Sequence, residues 1–176
     1  MEIPHVLPVL LFGSDEKLPA PYGLLSAVLH AHSGVRYLIL IGLIAAVFLA
    51  FNAMRKDQAW DGSPKRLGRL AMILADIQLL MGIFLWVYFI YLNTGLKMKR
   101  LKDMLGMQEV RFMAVEHAVM MFIAIVLIHI GYIRAKKAPS VRQANKSQFL
   151  FYLIALIMIL VAIPWPFYGH MGRGWF

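Results

Sequence analysis

Ionisable side chains inside an apolar helix are costly and persist mainly where they find partners, so they are the first residues to ask for chemistry. The long apolar stretches of this chain hold few. His30, His32 and Arg36 lie in the first, Asp76 in the second, and Glu116, His117 and His129 in the third. His32 and Arg36 are spaced i, i+4 and share a helix face. Spans one and three run in the same direction, so His30 or His32 and His117 fall at similar depth on different helices. A b-type haem needs that arrangement, because two imidazoles must reach the iron from opposite faces of the porphyrin. Arg36 could then steady a propionate. The same residues also suit helix-end anchors, with Arg36 neutralising Glu116, and residue type alone leaves both readings open.

The opposite leaflet carries Asp76 and His129. Asp76 is roughly two turns from Arg69 and His129 about one and a half turns from Arg134, so the two could meet. A carboxylate beside an imidazole stabilises the imidazolium and can pass protons, although a plain buried structural pair is the stronger reading. That leaflet offers no second imidazole for a second haem, and twelve residues rotate His129 about 120° from His117 on an ideal helix. The 12 Met are scattered, which suits flexible packing better than ligation. With no Cys, disulfides, thiolate metal sites and covalent haem attachment are excluded. There is no phosphate loop, HExxH pattern or nucleophile–base arrangement. An electron-transfer or accessory subunit is therefore expected rather than a stand-alone enzyme.

These residues are carried by spans. The composition is 61% hydrophobic, arranged in runs, and about 20 apolar residues in a helix cross a hydrocarbon core of roughly 30 Å. Spans are expected at about 24–54, 70–92, 112–133 and 149–163, giving an all-α, integral membrane four-helix bundle over residues 24–168. Residues 1–23 read as an interfacial segment, since Glu2, Pro4 and Pro8 without a basic start do not resemble a cleaved signal peptide. Residues 169–176 read as an aromatic tail, its rings in the headgroup layer or against a neighbouring subunit. The 97–111 loop suits either a flat interfacial helix or a solvated basic loop, and the 134–148 loop reads as a plain polar turn.

The net charge of +9 does not indicate nucleic acid, because the cations sit in short loops where they meet lipid headgroups. The loops 55–69 and 134–148 hold ten Lys and Arg: Arg55, Lys56, Lys65, Arg66, Arg69, Arg134, Lys136, Lys137, Arg142 and Lys146. The other side holds seven, diluted by acidic residues. The positive-inside rule then places both termini on the same, periplasmic side of a bacterial inner membrane.

The stretches LHAHSGVRYLIL, DIQLLMGIFL, RFMAVEH with HIGY, and SQFLFYLIALIMILVAIPWPF together resemble a family of small bacterial four-span proteins catalogued as cytochrome b-like. The resemblance runs from about His30 to Phe167. It implies a four-helix bundle, haem b as cofactor, and electron transfer in or beside a quinol-linked respiratory complex with other membrane subunits as partners. It places His117 and His129 on the family's third-helix histidines and His30 or His32 on its first-helix histidine. One departure bears on the haem count. A His often precedes the IQLL motif in the family, where this chain has Asp76, so a haem held by that His would be missing or changed here.

The orientation is testable because the chain has no Cys of its own. Cysteines introduced singly at Ser63 and Ser140 are expected to resist a membrane-impermeant thiol reagent in intact cells, and one at Ser14 to be labelled. The reverse pattern would invert the topology.

Overall fold

In the computed structural model, residues 20–94 and 105–168 are described. The expected interfacial segment before residue 20, most of the basic 97–111 loop and the tail from residue 169 lie outside these residues. The described chain is all-helical: α1 (Ala20–Arg55), α2 (Ser63–Thr94), α3 (Ala118–Lys136) and α4 (Val141–Ala162). A helical turn (Gln108–Arg111) and a π-helical turn (Phe112–His117) lead directly into α3. All four long helices are long and apolar enough to cross a membrane, as the sequence indicated. The protein is a multi-pass membrane protein.

The helices overrun the expected spans, because hydropathy marks the part of a helix that lies in lipid and not its full length. The largest difference is at α4. The stretch read as a polar turn up to residue 148 is already helical from Val141, with the Ser140 hydroxyl capping the helix by accepting the Gln143 N–H at 3.3 Å. Likewise α2 starts at Ser63, with Pro64 in the first turn where its missing N–H costs nothing. At the end of α1, Lys56 N–H bonds Asn52 O at 3.1 Å and Gln58 N–H bonds Ala53 O at 2.9 Å. Asp57 takes the left-handed conformation between them (φ 47°), a position its short polar side chain tolerates.

The chain divides into two compact units. One contains residues 35–79 and 120–162, and thus parts of all four helices. Its core is built largely from small residues: Ala46, Ala50, Ala71, Ala75, Ala124 and Ala155 are buried beside Leu43, Ile128 and Tyr152. Small side chains let helix backbones approach closely, which replaces the hydrophobic driving force that lipid does not supply. A Cβ on Gly131 of α3 would lie 2.7 Å from Phe151 Cβ, so α3 and α4 meet almost backbone to backbone there.

One end of this unit is polar and dry. Gln148 is fully buried. Its amide nitrogen donates to Pro64 O at 2.9 Å and Ala46 O at 3.4 Å, and its oxygen accepts the Trp60 indole N–H at 2.7 Å. Tyr152 donates to Gly68 O at 2.8 Å, and Asn145 donates to Gln58 O at 2.8 Å. Trp60 packs on Tyr132 with ring centroids 5.5 Å apart, under the Lys65 ammonium at 5.4 Å.

The second unit comprises residues 1–34, 80–119 and 163–176. Among its described residues Leu25, Val110, Phe112, Ala114 and Ile163 are buried. Beyond α4, Trp165 and Phe167 stack (6.0 Å, 8°), and Phe167 meets Tyr168 edge-on.

Gly68 is required by this packing, since a Cβ there would stand 2.7–2.9 Å from the Gln148 amide. Gly68→Ala is expected to cost about 1–3 kcal/mol through overpacking. Gln148→Leu, which strands the Trp60 N–H, is expected to cost about 1–3 kcal/mol for the group left unpaired. Thermal unfolding in detergent micelles, with the exposed Lys146→Ala as control, measures both.

Candidate functional site

The histidines separate by environment. His30 is exposed, and His32, two residues on and therefore on another side of α1, is half-buried. The His32 ring lies over Gly82 of α2, where a Cβ would come within 3.3 Å of ring carbon Cε1. Glycine thus allows an imidazole to lie directly on the α2 backbone. Between the two α1 candidates, His32 is the one packed between helices.

His117 is half-buried in the same unit, at the end of the π-helical turn, with its ring centroid 6.4 Å from that of Phe112. A π-turn inserts one residue into the helical register and so re-aims every side chain before it. Its widened backbone also takes a donor from another helix: the Trp86 indole N–H of α2 bonds the Ala114 carbonyl at 2.6 Å. Glu116 pairs with Arg111 at 2.9 Å, five residues back, a spacing the i→i+5 geometry aligns. The sequence had offered Arg36 as the cation for Glu116. Arg36 donates to the Tyr37 hydroxyl at 2.8 Å, with its guanidinium 4.7 Å from that ring's centroid.

Two imidazoles from different helices of one unit, both half-buried, are a donor set of the kind a b-type haem takes. Gly82 is a small-residue cradle holding one of them. The residues present are of the type the group takes. No cluster of three or more His, Cys, Asp or Glu able to hold a bare metal ion occurs among the described residues.

The other unit brings together the pair expected on the opposite leaflet. His129 Nε2 of α3 lies 3.3 Å from Asp76 Oδ1 of α2. His129 Nδ1 is 3.0 Å from Ile125 O. A carbonyl can only accept, so Nδ1 carries a proton and Nε2 is the nitrogen turned to the carboxylate.

The residues that sequence reading missed are Asn145, Gln148 and Tyr152. A signal was present: they recur at i, i+3, i+7 on one helix face, which runs from the 134–148 stretch read as a polar turn into the fourth span.

Gly82 gives this site a direct test. Gly82→Val drives a branched side chain into the His32 ring and is expected to cost about 1–3 kcal/mol. Ile83→Val, at an exposed neighbour, is expected to stay within about 0.5 kcal/mol. Thermal unfolding of the two variants in one detergent makes the comparison.

No family model matches the chain, and neither the search of curated proteins nor that of solved structures returns a match.

Proposed function

We propose that the protein is a b-type cytochrome-like subunit of a bacterial inner membrane, moving electrons in or beside a quinol-linked respiratory complex, in which His32 and His117 would hold haem b. The observation that carries this reading is that His32, and not His30, is packed between helices over Gly82, in the unit that also holds His117. The resemblance of the four spans to cytochrome b-like proteins agrees with it. When bound, the haem supplies a one-electron carrier inside the bilayer. The chain's own part would be positional: Gly82 seats the His32 imidazole and the π-turn sets the direction of His117. Asp76 with His129 handles protons or structure.

A second reading, a cofactor-free accessory subunit of a larger membrane complex, is favoured by the poor cover of α2. Only 11% of its most apolar window is buried, against 39% for α1 and for α4. That leaves a long apolar face for another membrane protein or for lipid.

Optical spectra of the purified protein, oxidised and then reduced with dithionite, decide between them. The expected result is a reduced b-type spectrum that His117→Ala and His32→Ala abolish or shift, that His30→Ala leaves intact and that His129→Ala disturbs little. No haem absorption in unmutated protein, even after expression with added haem, would transfer the case to the accessory-subunit reading.

A further inference from the structure

The Asp76–His129 pair is polar, lies within two membrane-spanning helices, and still faces outward: the side chains are 37% (His129) and 44% (Asp76) exposed. Around it the surface is apolar and equally open. Ile73 and Ile77 of α2 and Val126, Ile130 and Ile133 of α3 are all exposed. They sit at i−3 and i+1 from Asp76 and at i−3, i+1 and i+4 from His129, so they frame the pair on both helices. Lipid tails offer no hydrogen bond to such a pair, and polar groups inside membranes are accordingly turned toward other protein or water. The contact uses Oδ1 of Asp76 and leaves Oδ2 as a second acceptor.

We propose that this flank of α2 and α3 is the interface of a two-fold symmetric homodimer within the membrane. The argument is complementarity. The acid and the base stand on neighbouring helices, side by side across the seam. A two-fold axis along the membrane normal, passing through that seam, brings the face against its own copy. Each Asp76 then opposes the partner's His129, and each His129 opposes the partner's Asp76, while the framing Ile and Val meet their equivalents. A face carrying one acid and one base in this arrangement is self-complementary under a two-fold axis, which is the condition for an isologous interface. A patch of one charge sign would repel its copy. With Nδ1 taken by Ile125 O, each Nε2–H is shared between Oδ1 of its own Asp76 and Oδ2 of the partner's Asp76, so that both oxygens of each carboxylate are used. This interface is independent of the haem reading, since neither His32 nor His117 takes part in it.

The absence of Cys makes the test clean. Single cysteines at Ile73, at Ile130 and, as a control, at the exposed Ile157 on α4 are introduced into the full chain and treated in native membranes with a short bismaleimide. Cross-linked homodimer is expected at Ile73 and Ile130 and not at Ile157. Asp76→Ala and His129→Ala are each expected to weaken the dimer about tenfold or more in detergent titration, the scale of losing interhelical hydrogen bonds in both halves of the ring. The exchanged variant, Asp76→His with His129→Asp, keeps the acid–base pattern and is expected to restore dimerisation. That rescue distinguishes a specific pairing from simple misfolding of the single variants. Equal cross-linking at all three positions, a monomer in bilayers, a cross-link to a different protein, or a dimer unaffected by loss of the pair would each overturn the proposal.

Discussion

The buried amide of Gln148 ties together more of the structure than any other side chain described. Through it the last helix holds a carbonyl of α1, a carbonyl in the first turn of α2 and the indole of Trp60 between them. Ala46 and Pro64 lie within helices where their carbonyls accept an intrahelical N–H, so Gln148 engages the second lone pair of each. In a dry environment the indole N–H is expensive to leave alone. Satisfied together, these groups fix how far α4 slides against the others and at which angle it turns. Apolar faces alone would define that register weakly, because one aliphatic surface in lipid resembles another.

Tyr152 and Asn145 extend the same logic one turn to either side, and both close approaches of the unit follow from it. Gly68 has no side chain because the Gln148 amide occupies the space where a Cβ would be, and Gly131 has none because α4 comes in that closely. The other unit uses a different device. There a π-helical turn, with its Ala114 carbonyl taken by Trp86, sets the direction of His117, and a glycine on α2 receives His32. Neither half depends on large apolar side chains filling a wide core.

The spans were legible in the sequence because a run of apolar residues long enough to cross lipid has few soluble alternatives. The meeting of Asp76 with His129 was legible too, because two polar residues at one depth on adjacent helices have few other partners. What stayed hidden has physical causes. The polar first turns of α4 look like a loop to a hydropathy argument, although Asn145, Gln148 and Tyr152 share one helical face. The π-turn leaves no composition signature, so the pairing of Arg111 with Glu116 five residues on could not be anticipated from α-helical spacing. His30 and His32 differ only in which side of α1 they occupy, and that is decided by Gly82 on another helix.

The direction in which the polar end is wired also bears on how the protein is made. Every acceptor and donor engaged by Gln148 and Tyr152 belongs to residues synthesised earlier, from Ala46 to Gly68. Three spans can therefore leave the ribosome and enter the bilayer before the groups that lock them exist. During that interval the indole N–H of Trp60 lacks its Gln148 partner, whereas the carbonyls of Ala46, Pro64 and Gly68 keep their intrahelical bonds and lack only a second one. The last span thus acts as a latch: the bonds that fix a single register exist only once Gln148 and Tyr152 have been made.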